Sequence, residues 1–253
     1  MADLEIVPRG PGFATGAGQN TGRQSAVLAD DVSAGDYVLA LSSVDFVPAT
    51  NPEAAECPIV PEWTELAHGS DPESGTGNRN MQIRAWLGRV ATGPTTAASR
   101  TVTVTQSGES GQVVLARAYY GGSTNAVIEP DGPAAAIADR SSPFPHSSAT
   151  ATGSHDLLVV AFAAIRFVGG APALAAPDGM TGWSDGDGSY HTAQVCTEHR
   201  TAPGPTGTRA QTDISGGGSI SLNGAGIRFL LRAQGDPDAA GPPPGQFLPL
   251  FGR

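Results

Sequence analysis

The chain has 253 residues, with 14 basic side chains, all Arg, against 24 Asp and Glu, a net charge of −10 and a sequence pI near 4.8. So acidic a chain, with its Arg scattered, excludes a phosphate-backbone reader, which needs clustered cations. With 34 Gly, 21 Pro and a charged fraction of 15%, the composition excludes a helical bundle and suits short strands joined by turns, in a chain long enough to bury a sizeable core.

Residues 1–24 open with Pro8-Arg9-Gly10-Pro11-Gly12, followed by Gly16, Gly18 and Gly22. Such a run sustains neither helix nor long strand and predicts an extended N-terminal arm. The opening MADLEIVPRGPGF lacks a basic stretch followed by an apolar one, and no apolar run is long enough to span a membrane, so the expectation is a protein assembled in a cytoplasm without membrane insertion.

Ser25 to Val32 reads as a first strand, and Ser33-Ala34-Gly35-Asp36 as the turn after it. Tyr37 to Phe46 follows. Tyr37, Leu39 and Leu41 lie on one face of it, and Val38, Ala40, Val44 and Phe46 on the other. A strand apolar on both faces is central and covered on both sides, here by a facing sheet and by either a loop or a neighbouring subunit. A Pro- and Glu-rich loop over 47–62 leads to Trp63, and a polar loop over 67–80 leads to Met81–Val90, where Ile83, Ala85 and Leu87 alternate with Arg84 and Trp86. Arg100 to Thr105 alternates Thr with Val. Ser107 to Gly111 reads as a turn, and Val113 to Tyr120 as a returning strand. The Ala134–Ala138 run suits a single helical turn.

The order then repeats. Asp156 to Ile165 echoes Asp36 to Asp45, and a Trp follows each Asp at the same distance: Asp36 to Trp63 and Asp156 to Trp183. This predicts an all-β, antiparallel β-sandwich with a jelly-roll-like path, built from two pseudo-repeats, 25–121 and 153–233, within a body spanning 25–233. Two separate small sandwiches are the alternative. Trp63 and Trp183 are expected as matched plugs between sheets. Residues 234–253 form a Pro-rich tail ending in Phe247, Leu248, Leu250 and Phe251, a spacing that suits a docking peptide for a partner groove or a strap on the chain's own body.

No motif for chemistry emerges. There is no Gly-x-Ser-x-Gly elbow, and Gly216-Gly217-Gly218 precedes no helix. His191 and His199 lie near Asp185, Asp187 and Glu198, a set that could ligate a metal. Asp185-Gly186-Asp187-Gly188 resembles the start of a calcium loop, but Cys196 stands where the bidentate Glu belongs, so no metal or other cofactor is expected. Cys57 and Cys196 show no ligand spacing, and their bonding is open. Trp86, Tyr119 and Tyr120 are candidate surface contacts, for instance for a sugar.

Gly35-Asp36, Trp63-Thr64, Arg89-Val90-Ala91-Thr92-Gly93, Asp156 to Val160 and Gly182-Trp183, in this order, resemble a family of minor tail and other virion structural proteins from tailed phages of high-GC actinobacteria. The pattern covers roughly 25–232 and is departed from at His155 and at Pro61-Glu62, where Gly is usual. The resemblance implies a non-enzymatic virion component, assembled in the host cytoplasm with other virion proteins and copies of itself. A receptor- or carbohydrate-binding module directed at a cell-surface glycan, and a capsid decoration protein, are the alternatives.

Overall fold

A computed structural model describes residues 3–46, 52–71, 80–93, 96–123, 125–139, 142–166, 170–187, 190–215 and 222–235. Among these residues there is no helix. Ten principal strands form two antiparallel sheets. The first holds β1 (Ala14–Val27), β2 (Tyr37–Phe46), β3 (Trp63–Asp71), β4 (Asn80–Arg89) and β5 (Thr101–Tyr120). The second holds β6 (Ala135–Asp139), β7 (Leu157–Arg166), β8 (Thr181–Gly186), β9 (His191–His199) and β10 (Leu222–Gly235).

The spatial order is β3-β4-β2-β5-β1 in one sheet and β8-β9-β7-β10-β6 in the other. Apart from its first residues, the chain completes one sheet before building the next. A jelly-roll path would instead pass repeatedly between the two.

The central strands show why the sheets form one sandwich. Leu41 of β2 lies opposite Ala85 and Leu115, and Ala161 of β7 lies opposite Val195 and Ile227. Because side chains alternate, the odd-numbered residues of both strands face inward. Leu39, Leu41, Ile83 and Leu115 from one sheet and Val159, Ile165, Ile227 and Phe229 from the other make a single buried core. Each large aliphatic side chain buried there contributes roughly 1.5–3 kcal/mol. The backbones come close at one point: a Cβ on Gly69 would lie 2.5 Å from the Gly226 carbonyl oxygen, so only Gly fits.

The outer faces are apolar too, and the chain covers them itself. On the first sheet, Val38, Ala40 and Trp86 lie under Ala26, Ala55, Ile59 and Val60. On the second, Leu158 and Val160 lie under Ala149 and Ala151, and Phe162 stacks on Phe144 with ring centroids 4.0 Å apart. Short strands at Phe144–His146, Leu174–Ala175 and Arg209–Asp213 add a second layer there. In place of the expected cover, a loop or a neighbouring subunit, the chain supplies its own, partly as short strands such as Pro52–Glu56, Phe144–His146 and Thr150–Ala151. Cys57 and Cys196 belong to opposite outer clusters, with both sheets between them, and both are free thiols. Burial raises the pKa of each, Cys196 to about 12.

Several expectations change. Residues 3–24 are not a separate arm. Asp3–Leu4 pairs with β10, Val7–Pro8 pairs with β5, and β1 runs along β5. Gly16 and Gly18 weaken the side-chain signal, but main-chain pairing needs no side chain. The turn expected at 107–111 is the interior of β5, whose partner β1 shifts register twice, between Gly18 and Arg23. An irregular register of this kind lets a Gly-containing strand bend, here sharply enough that Gln112 Nε2 donates to the Val104 carbonyl at 3.1 Å. Ala135–Ala138 of the Ala134–Ala138 run lie on a strand, β6, rather than in a helical turn.

The two Trp do not match. Between Glu65 and Ala67 the register of β3 shifts by one residue, leaving Leu66 as the extra one. Such a slip moves side chains to the opposite face. Trp63 therefore packs on the outer cluster, while Trp183 packs toward the inter-sheet core.

Candidate functional site

The aromatic contacts expected at the surface are mostly buried. Trp86 is 4% exposed and Tyr119 is 2% exposed. Trp86 points to the outer face of β4, under Ala55 of the short strand Pro52–Glu56 and under Ile59 and Val60, and Tyr119 points into the inter-sheet core, edge-on to Phe13. Alternation along a strand places every second residue on an interior face, and here both faces are interior. Neither residue is a surface contact. Tyr120 is half-buried, with the Arg9 guanidinium 5.0 Å from its ring centroid. Phe247, Leu248, Leu250 and Phe251 lie outside the described residues.

Trp183 closes one side of the sandwich. Its ring lies 5.1 Å from that of Phe13 and 5.0 Å from the Arg117 guanidinium. Arg117 in turn donates to the carbonyls of Arg9 and Gly10 at 3.2 and 2.6 Å. These contacts tie the N-terminal segment to the β8 edge and make Trp183 structural.

An open cleft of about 650 Å³ lies beside Trp63, lined also by Arg23, Glu56, Thr101 and Thr103. The Trp63 indole N–H is buried without a hydrogen-bond partner. A half-buried aromatic ring beside hydroxyls, a carboxylate and a guanidinium is the kind of surface that stacks on and hydrogen-bonds a sugar.

Of the polar residues considered for a metal, the structure brings Asp187 and His191 together and separates the rest. Glu198 receives Arg200 at 2.7 Å and Arg209 at 2.6 Å. His199 ends β9 at the far end from His191. Asp187 Oδ1 accepts the amides of Tyr190 and His191 at 3.1 and 3.2 Å, closing the turn between β8 and β9. Across the sandwich, β2 contributes Ser43 and Asp45. His191 is fully buried, and its Nε2 lies 2.8 Å from Ser43 Oγ. Ligand atoms of Asp45, Asp187 and His191 all fall within 4.8 Å of one another. Burial lowers the pKa of His191 against the pull of the two Asp.

Sequence reading missed Ser43 and Asp45. They sit well over a hundred residues from His191, and only the facing of the two sheets joins them. Their one signal was polarity: Tyr37, Leu39 and Leu41 begin an apolar face that ends in Ser43 and Asp45.

A second buried carboxylate, Asp156, stands at the turn into β7. It accepts the Gly153 amide at 2.8 Å, and its pKa is raised to about 6, first by burial and then by its neighbour Asp131. No protein-family model, curated protein or solved structure matches the chain.

Proposed function

We propose that this chain is a structural component of a phage virion, a minor tail or tail-tip protein that joins its neighbours through its C-terminal peptide. The observation that supports this reading is where the residues behind the virion-protein resemblance lie. Asp36 and Asp156 both stand at the turn into a central strand, each accepting an amide from three residues back, Ser33 and Gly153. Arg89 ends β4, and Trp63 and Trp183 lie on the edge strands β3 and β8. All are framework positions of two sheets with the same strand order, so the resemblance is one of architecture, as a structural protein would share.

Docking through Phe247, Leu248, Leu250 and Phe251 rests on their spacing in the sequence. Deleting 242–253 should leave a soluble, folded body, with a change in stability under about 0.5 kcal/mol, that no longer enters particles. Incorporation of the truncated protein at normal copy number would refute docking by the tail.

The Trp63 cleft favours a second reading, a carbohydrate-binding module on the same particle. A glycan array should then show binding that Trp63→Ala reduces at least tenfold, since stacking on an aromatic ring carries much of such affinity. An array without any bound glycan rejects that reading and leaves the first intact.

A further inference from the structure

We propose that Asp45, Asp187 and His191 bind a divalent cation that clamps the two sheets together. The three residues come from both halves of the chain: Asp45 from the end of β2, Asp187 and His191 from the turn joining β8 to β9. Their ligand atoms lie within 4.8 Å of one another. Two atoms on one cation, at bond lengths of about 2.0–2.6 Å, sit up to about 4–5 Å apart, so a single ion can reach all three after small side-chain movements.

The independent observation is the imidazole. His191 is 0% exposed, and its Nδ1 has no hydrogen-bond partner. A buried nitrogen left bare is unfavourable, and a nitrogen of this ring lies within 4.8 Å of both carboxylates. Ser43 Oγ, 2.8 Å from Nε2, holds the ring. With Nε2 as the donor to Ser43, Nδ1 presents a lone pair. This is the arrangement of a metal-ligating His, oriented through its second nitrogen.

The backbone crowds the carboxylates into the same place. The Gly111 amide donates to Asp45 Oδ1 at 2.6 Å. A Cβ built on Gly111 would lie 2.6 Å from Asp45 Oδ1 and 2.3 Å from Asp187 Oδ2. Gly111 therefore leaves room for two carboxylates from opposite sheets, which one cation can bridge.

The donor set selects the ion. Two carboxylates and one imidazole suit Zn²⁺ or Mn²⁺, whereas Ca²⁺ and Mg²⁺ prefer an all-oxygen shell. The site links sheets rather than lining a cleft, so its role is cohesion.

The test uses the full chain, stripped with EDTA and titrated with ZnCl₂, MnCl₂ or CaCl₂ by calorimetry and thermal melting. Zn²⁺ or Mn²⁺ should bind at about one per chain and raise Tm by roughly 5–10 °C at a hundredfold excess over Kd. Asp187→Asn and His191→Gln should each weaken binding at least tenfold and abolish the shift. X-ray absorption of the loaded wild-type protein should show one nitrogen ligand among oxygens, a readout that does not depend on whether a variant folds. Absence of binding by the stripped wild-type chain overturns the proposal. So does an equal Zn²⁺ shift in wild type and Asp187→Asn, which would place the ion elsewhere. A preference for Ca²⁺ overturns the assignment of His191 as a ligand.

Discussion

Asp36 and Asp156 occupy the same place in the two halves of the sandwich, and their charges are handled in opposite ways. Both are buried at the turn into a central strand, and the carbonyl of each accepts an amide from the strand-end region beside it, from Val90 and Arg200. Asp36 also receives a forked pair of hydrogen bonds from Arg9, at 2.9 and 3.0 Å. Asp156 instead faces another carboxylate, Asp131. Hydrogen bonds from the Thr152 amide and hydroxyl, each 2.7 Å, hold Asp131 below its ordinary pKa although burial pushes it the other way. Arg232 offsets only part of the strain at Asp156, which stays raised to about 6. The difference has a topological cause. The N-terminal segment passes over the first half on its way into β1 and brings Arg9 with it. Two sheets with the same strand order therefore need not share their electrostatics.

Removing the cation from the first half should have the largest effect. Arg9→Met leaves Asp36 buried and unpaired and should cost about 3 kcal/mol in urea unfolding, because breaking one side of a buried pair strands the other. A loss below about 1 kcal/mol would mean that the Ser33 amide suffices and that the contrast between the halves is only apparent.

In the second half the sign reverses. The folded pKa of Asp156 lies above the unfolded value of about 3.9, so the folded state binds the proton more tightly. That contribution is fully present below about pH 4 and is lost as pH rises through about 6. Asp156 should therefore subtract roughly 2 kcal/mol from stability across this window, after allowance for coupling to Asp131, against the opposite trend of the buried His146 and His191, whose pKa values burial lowers. Asp156→Asn should remove this contribution, so that its stability relative to wild type rises between pH 4 and 6, and should be the more stable protein at pH 7. A pH 4–6 profile that is the same in wild type and variant contradicts this account.

The smallest effect concerns the neighbour. Thr152→Val removes the hydroxyl bond to Asp131 and should cost about 1 kcal/mol at pH 7. In an Asp131→Asn background the loss should shrink, and a double-mutant cycle measures the coupling. An additive cycle would show that Thr152 acts independently of the carboxylate pair.

Much of the framework was legible in the residues. Hydrophobicity on both faces marked Tyr37–Phe46 as a central strand, and the echo at Asp156 marked Leu157–Arg166 as its counterpart. Three things were hidden for physical reasons. β1 is built on Gly16 and Gly18, whose pairing with β5 runs through the main chain and leaves no side-chain pattern. The face on which Trp63 lies depends on one extra residue, Leu66, which no periodicity announces. The Asp45–His191 cluster depends on how two sheets stack, and stacking is not a property of either strand alone.

The strand Asp3–Leu4 carries one further consequence, for the order of events during synthesis. It pairs with Ala233 and Gln234, the end of the last strand. Asp3 and Leu4 leave the ribosome ahead of nearly all of the described body and must wait for it before their partners exist. The first sheet can assemble on the emerging chain, but the seam joining it to the second closes only after translation has passed β10. Contacts so distant in sequence are slow to form. Until they do, the inner face of the first sheet is uncovered, and that interval is when the nascent protein is most exposed to aggregation.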